Sequence, residues 1–290
     1  MSKIDTLVAD IHAIMGTKDW GTDPRVFDFP SELGSSYLKQ VGKREEKVRE
    51  DKTLYFSEIG DVCTRRMWYK FHTPSGGDDI TPVTRIKFLY GDMLESLVLQ
   101  LASDAGHKVE RKQEGVEYVH RSSGWRVRGR IDAVIDGVVV DVKSVTKMSE
   151  RKFHEGLTDD PFGYYGQLNG YASVLKNPDA GFLTIQKELG HIHYFPQTVD
   201  PSVFAYGMAR AVAAIEAEEP KDAPLHSVPA SATSKNEKLC TTCSYCPFKR
   251  NCFPHVRAFA YSNKVEFLTK VVDLPRVPEI DLDKKVEDET

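Results

Sequence analysis

The sequence predicts an α/β protein: a central mixed sheet flanked by helices, with a cysteine-ligated metal clasp towards the carboxy end. Three observations predict it. Apolar stripes of helical period alternate along the chain with short β-rich runs, in the order helix, three strands, helix, strand pair, helix. The chain has 290 residues, 40% of them hydrophobic and 28% charged, enough to bury one substantial core or two modest ones. Four of its five cysteines fall within thirteen residues, in CTTCSYCPFKRNC.

Residues 1 to about 18 carry Ile4, Leu7, Val8, Ile11, Ile14 and Met15 at helical spacing, which predicts an amphipathic packing helix. Residues 19–50 are rich in Gly, Pro and charge, and no element follows from them. The run SEIGDVCTRRMWYKF predicts a helix, with Cys63 ahead of Arg65 and Arg66. VTRIKFLYGDMLESLVLQLASDAG sets Ile86, Leu89, Leu94, Leu97, Val98 and Leu101 on one stripe, adjoined by Glu95 and stopped at Ala105-Gly106. HKVERKQEGVEYVH, WRVRGRIDAVID and VVVDVKSV predict three strands, and DPFGYYGQLNGYASVLKN a helix entered through Pro161. FLTIQKELGHIHYFPQTV predicts a second hairpin and PSVFAYGMARAVAAIEAEE a further helix, followed by a polar linker, SVPASATSKNEK. The net charge of -4 equals that of the last twenty residues, where seven acids face three bases, so residues 259–290 are expected to form an acidic, weakly ordered tail.

No run of about 18 apolar residues is present, and the amino end lacks a signal-peptide core. An intracellular, cytoplasmic, soluble protein without a membrane partner is therefore expected. Bases gather between Lys43 and Lys70, and Lys147, Arg151 and Lys152 with His154 follow the third strand, where they could meet a phosphate backbone from a loop. Trp68, Tyr69 and Phe71 are expected in a core rather than stacked on bases. No Walker phosphate loop occurs, so any ATP-driven motor would come from a partner.

GRIDAVIDGVVVDVKS, residues 129–144, holds the most specific chemistry. Asp136-Gly137 is a two-residue hairpin signal, which pairs Ala133 with Val140 and sets Asp132 opposite Asp141, with Lys143 further along the same face. Like charges side by side on a sheet repel, and burial beside the run Val138–Val140 makes them costlier still. A hard divalent cation between the carboxylates resolves the conflict, and Mg2+ or Mn2+ favours oxygen ligands. Such a site can hydrolyse a phosphodiester, with Lys143 orienting the attacking water or neutralising developing charge.

Gly129-x-x-Asp132, then Asp141-x-Lys143, resembles the core signature of the PD-(D/E)XK nuclease superfamily. Gly91-Asp-Met-Leu-Glu95 is similar to a helix motif of its RecB-like branch, with Glu95 where His is common, and Gln167-x-x-x-Tyr171 matches that branch's Q-x-x-x-Y motif. The resemblance implies a restriction-endonuclease-like core. It implies metal ligation by Glu95, Asp132, Asp141 and the Val142 carbonyl, catalysis by Asp132, Asp141 and Lys143, and substrate positioning by Gln167 and Tyr171.

An odd cysteine count without a secretion signal argues against disulfides and for a metal. Cys243-x2-Cys246-x5-Cys252 resembles the terminal triplet of iron–sulfur members of the branch, including the CRISPR-associated RecB-like exonucleases and the AddB nuclease domain. Cys63-Thr-Arg-Arg-Met-Trp-Tyr resembles the setting of their distant fourth ligand. The resemblance implies a structural [4Fe–4S] cluster on Cys63, Cys243, Cys246 and Cys252, tying the chain end to the nuclease body and leaving Cys240 surplus. The alternative is zinc on Cys240, Cys243, Cys246 and Cys252.

The expected organisation is a helical extension over 1–50, a nuclease domain with its clasp over 51–258 (Cys63 plus 240–252), and the tail over 259–290. The expected function is a metal-dependent DNA exonuclease acting on single-stranded ends in recombination, repair or phage DNA processing, possible company being a helicase or recombination protein. The alternative is a non-catalytic nucleic-acid-binding or assembly module, which would have no use for paired carboxylates facing an anionic ligand.

Overall fold

The structure, a computed structural model, describes residues 2–16, 28–41, 49–61, 63–73, 82–220, 227–262 and 264–282. Expectations resting on residues 17–27, on the basic residues of 42–48 and on the tail residues 283–290 lie outside the described residues. Where one nuclease domain is expected, the chain forms two compact units: residues 1–61 with 80–212, and residues 62–79 with 213–290.

In the first unit a 3-10 turn (Lys3–Thr6) leads into α1 (Leu7–Gly16), followed by α2 (Asp28–Val41), β1 (Thr53–Tyr55) and α3 (Phe56–Ile59). After α4 (Thr64–His72), which belongs to the second unit, come α5 (Pro82–Asp104), β2 (Val109–Glu110), β3 (Gly115–Val119), β4 (Arg126–Arg130), β5 (Ala133–Ile135) and β6 (Val138–Val145). Then follow α6 (Lys147–His154), α7 (Tyr164–Leu175), β7 (Asp179–Gln186), β8 (Ile192–Thr198) and α8 (Pro201–Ile215), within which the boundary to the second unit falls.

The central sheet has the order β2-β5-β6-β7-β8, with β6 and β7 parallel and the other pairs antiparallel. It is a mixed sheet flanked by helices. The parallel step requires a crossover, which α6 and α7 supply. The hairpin register is the one the sequence dictates: Ala133, Val134 and Ile135 pair with Val140, Val139 and Val138. Its turn works because Asp136 and Gly137 both take positive φ, 49° and 89°, as a type I′ turn demands. On one face of β6, Val138, Val140 and Val142 pack in a cluster with Leu7 and Ile11 of α1 and Val98 and Ala102 of α5. The amino-terminal helix is thus a packing element, and β6 is buried along most of its length.

Three departures from the sequence reading have physical causes. WRVRGRIDAVID is broken into β4 and β5, which lie in different sheets: β4 pairs with β1 and β3 in a three-stranded sheet. Positive φ at Arg111 and Gln113 bends the facing strand, and Ile131 N–H and Gln113 N–H bond across the break to Glu114 O and Asp132 O. The helix of DPFGYYGQLNG begins at Tyr164, past Pro161 and a left-handed Gly163. SEIGDVCTRRMWYKF forms two helices rather than one, parted at residues 60–63.

The second unit holds α4, β9 (Ser227–Pro229), β10 (Glu237–Leu239), α9 (Thr241–Ser244), α10 (Lys249–Cys252), β11 (Arg257–Tyr261), β12 (Lys264–Lys270) and β13 (Glu279–Ile280). Its antiparallel sheet runs β13-β11-β12-β10-β9. The polar linker is therefore partly strand. The segment expected to be a weakly ordered tail supplies β12, β13 and most of β11, because Phe259 and Leu268 are buried on one face of the β11–β12 pair. Trp68 and Tyr69 are engaged within the unit: Trp68 Nε1 donates to Ala217 O at 3.0 Å, and Tyr69 stacks on Phe248. Among the described residues no helix is long and apolar enough to cross a membrane.

Candidate active site and cysteine-lined cavity

In the first unit Asp141 and Lys143 project from β6 on the face opposite Val140 and Val142. Asp141 is 3% exposed, and its Oδ2 lies 2.5 Å from Lys143 Nζ, which in turn sits 4.8 Å above the Tyr164 ring. Asp132 occupies the break between β4 and β5, and is therefore free of the ladder; its Oδ2 accepts the Val142 N–H at 2.7 Å. Val142 thus meets Asp132 through its amide, while its carbonyl remains an expectation for metal ligation. Glu95, on α5, accepts a hydrogen bond from Gln113 Nε2 at 2.6 Å.

Electrostatics links these side chains. Burial, then the charges of Asp141 and Glu95, push the Asp132 carboxyl well above the usual carboxylate range. Burial also raises Asp141, against the pull of Lys143. Burial alone would depress Lys143, but Asp141 and Asp132 outweigh it and hold its ammonium above the ordinary lysine value. Tyr171 is raised by burial and by the same two aspartates, and its side chain hydrogen-bonds with that of Gln167 one helical turn away on α7. Gly129 has a steric role: a Cβ there would stand 2.3 Å from the Tyr171 hydroxyl. The six side chains expected at the site are linked in a chain: Glu95 acts on Asp132, Asp132, Asp141 and Lys143 act on Tyr171, and Gln167 bonds with Tyr171.

The sequence reading missed Asp160. Its charge raises Asp141, its Oδ2 accepts the Tyr165 N–H at 2.9 Å, and its buried Oδ1 has no hydrogen-bond partner among the described residues. The available signal was Asp160-Pro161 ahead of a helix, read only as a helix start. Tyr164, the aromatic beneath Lys143, gave no signal at all. Conversely, the bases after β6 lie on a helix, not a loop, and two have acidic partners: Arg151 with Glu155 and Lys152 with Asp159.

The donor set fits a hard divalent cation. Asp141 and Glu95 act on Asp132, Asp160 acts on Asp141, and among the described residues Lys143 is a cation whose charge reaches both Asp132 and Asp141. The excess of partly buried negative charge and the all-oxygen donors suit Mg2+ or Mn2+. Glu95, Asp132 and Asp141 do not bring three ligand oxygens mutually within 4.8 Å, in keeping with like charges that repel.

In the second unit Cys63, Cys243, Cys246 and Cys252 line one small cavity with Arg66, Tyr69, Phe248 and Phe253; Cys240 is not among the lining residues. Cys63 caps α4, its Sγ accepting the Arg66 N–H at 3.5 Å. Burial pushes the Cys246 thiol up to about 11, and burial with Cys240 and Cys63 pushes Cys243 up to about 12. No three cysteine sulfurs lie within 4.8 Å of one another, although all five cysteines are among the described residues. A four-thiolate zinc site needs sulfurs about 3.8 Å apart, from the roughly 2.3 Å Zn–S bond and tetrahedral geometry.

The family model of the PD-(D/E)XK nuclease superfamily matches residues 57–253. Among solved structures the chain is similar to the protein SSO0001, at 14% identity and a TM-score of 0.43, covering 78% of this chain and 94% of that one. It is similar also to an alkaline exonuclease from Laribacter hongkongensis, at 13% identity and TM-score 0.41, covering 57% and 86%. A phage-related exonuclease from Haemophilus somnus follows at 12% identity and TM-score 0.30, covering 72% and 91%. No curated protein matches the sequence.

Proposed function

This chain belongs to the PD-(D/E)XK nuclease superfamily, and from that premise we propose that it is a divalent-metal-dependent deoxyribonuclease of the RecB-like iron–sulfur branch, an exonuclease that attacks single-stranded DNA ends. The observation that carries the reading is the meeting of Asp132, Asp141 and Lys143 with Glu95, Gln167 and Tyr171 in one charged, partly buried cluster. Recombination, repair or phage DNA processing is the setting, and a helicase or recombination protein would supply any unwinding.

Mg2+ or Mn2+, held by Glu95, Asp132, Asp141 and the Val142 carbonyl, would supply positive charge beside the scissile phosphate and ease deprotonation of the attacking water. The chain's own groups do the remainder. Lys143, kept protonated by Asp141 and Asp132, neutralises charge developing on the phosphoryl oxygens and orients water by hydrogen bonding. Its position above Tyr164 and against Asp141 limits the directions its ammonium can take. Gln167 and Tyr171, held together on α7, position the phosphate, and the ring of Phe56, 4.3 Å from that of Tyr171, fixes the tyrosine. The Val142 N–H bond holds the Asp132 carboxylate in orientation.

A structural [4Fe–4S] cluster on Cys63, Cys243, Cys246 and Cys252 is part of the same proposal. It is supported by the identity of the four lining cysteines, the same four that the resemblance implies.

The test is degradation of end-labelled linear and closed circular single-stranded DNA with Mg2+ or Mn2+. Loss of the linear substrate alone is expected. Equal loss of the circle would overturn the exonuclease assignment, and binding without cleavage under either metal would favour the non-catalytic module.

A further inference from the structure

On the sheet face that also carries Asp141 and Lys143, since Lys143 pairs with Thr184 and Thr184 with His193, three side chains with no part in the proposed chemistry converge. Glu150 and His154 lie one turn apart on the same face of α6. His193 comes from β8, the edge strand, where it stands opposite Thr184 of β7. One ligand atom from each of the three lies within 4.8 Å of the others, a convergence that no other three His, Cys, Asp or Glu side chains among the described residues achieve. Glu150 Oε1 is 2.9 Å from His193 Nδ1, and the His154 and His193 rings meet edge to face with centroids 5.2 Å apart.

The setting is that of a ligand sphere rather than a surface ion pair. Glu150 is 6% exposed, so its charge is held out of water. Its second oxygen accepts from the Nε2 of Gln186, itself 3% exposed, whose Oε1 finds no hydrogen-bond partner among the described residues. A buried carboxylate oriented by a neighbouring amide is the usual arrangement behind a metal ligand. His154 is exposed and opens the group to solvent, which gives an ion a way in.

We propose that Glu150, His154 and His193 form a second cation site, for a divalent late-transition ion of the zinc class. Two imidazoles and one carboxylate are borderline-soft donors, which distinguishes this group from the all-oxygen cluster around Asp132 and Asp141. Zinc there joins α6, the first element after Asp141 and Lys143, to the outer strand of the sheet, so its role is to fix the crossover between β6 and β7. The inference does not rest on the nuclease reading; it shares no residue with that site.

Cobalt(II) is the probe. The whole 290-residue chain, as purified and saturated with Mg2+, is titrated with Co2+ and followed by visible absorption, and its melting temperature is recorded with and without Zn2+. The proposal expects one added equivalent of Co2+ with visible d–d bands and no thiolate charge-transfer band, and a rise in melting temperature with Zn2+. Asp141→Ala retains both signals. His154→Asn and His193→Asn lose them, with affinity falling by more than the roughly 10–100-fold that removal of an outer-shell partner alone causes. Because His154 is exposed, its variant folds even if His193→Asn does not. Absence of d–d bands in the wild type, or identical bands and stabilisation in His154→Asn, would overturn the site.

Discussion

The carboxylate cluster of the first unit and the cysteine group of the second are built on opposite plans. Asp141 and Lys143 stand on an eight-residue central strand, Glu95 on a 23-residue helix, and Gln167 and Tyr171 on a 12-residue helix. These elements are held by apolar packing that owes nothing to the site, such as Val138, Val140 and Val142 against α1 and α5. Cys243 and Cys252 sit on two four-residue helices with Cys246 between them, and Cys63 at the cap of α4; the two short helices cannot hold themselves. The lesson is that the hydrophobic core builds the first site and bears its charge repulsion, whereas under the proposed reading the cysteine segment would rely on its inorganic group to hold its short elements.

The comparison can be broken from either side. The largest effect is expected for Asp141→Ala, which should cut the cleavage rate about a thousandfold or more, some 4 kcal/mol of transition-state stabilisation, with the circular dichroism spectrum unchanged. An unfolded variant would mean that the first site is structural as well. Cys246→Ser should do the reverse: loss of iron–sulfur absorbance and destabilisation by more than about 4 kcal/mol, seen as early melting of the second unit in limited proteolysis. A colourless wild type, purified without oxygen and carrying stoichiometric zinc, would replace the cluster with the zinc alternative.

Gly129→Ala is expected to cost about 1–3 kcal/mol, because its methyl would press on the Tyr171 hydroxyl, and to lower kcat/KM through that displacement. A variant with wild-type stability and kinetics would remove the steric role assigned to Gly129.

The smallest effect sharpens the account of charge. Asp132 has a folded pKa above its unfolded value near 3.9, so between the two the folded metal-free protein binds more protons than the unfolded chain. Stability therefore falls as pH rises through that window, and the loss is complete above the folded value. Asp132→Asn should flatten this slope and raise the metal-free melting temperature near neutral pH by a few degrees, about 2–4 °C per kcal/mol. Saturation with Mg2+ should stabilise the wild type and not the variant. A lower melting temperature for metal-free Asp132→Asn would contradict the repulsion.

How much of this was legible follows from range. Asp136-Gly137 fixed the β5–β6 register because a two-residue turn is local chemistry, and Gln167 with Tyr171 needed only the period of one helix. Asp160 was illegible because its approach to Asp141 depends on where the α7 entry packs, and nothing within ten residues records that. The break at Asp132 was hidden for a similar reason: the pattern across it stays strand-like while its two halves join different sheets. β13 was lost because the acid count of the last twenty residues hid its pairing, and β12 because that expectation of weak order was extended back over residues whose buried Leu268 it ignored. Glu150, His154 and His193 lie on a helix read as a loop and on a strand some forty residues away, and only the fold brings them together.

The most direct test of the central claim is single-turnover cleavage of end-labelled single-stranded DNA by the wild type and by Asp141→Asn, each with Mg2+, with Mn2+ and with EDTA. DNA binding and melting temperature are measured on the same samples. The account predicts cleavage by the wild type in either metal and none in EDTA, and a folded, DNA-binding Asp141→Asn that does not cleave. Cleavage by the folded Asp141→Asn at the wild-type rate, or by the wild type in EDTA, would contradict it.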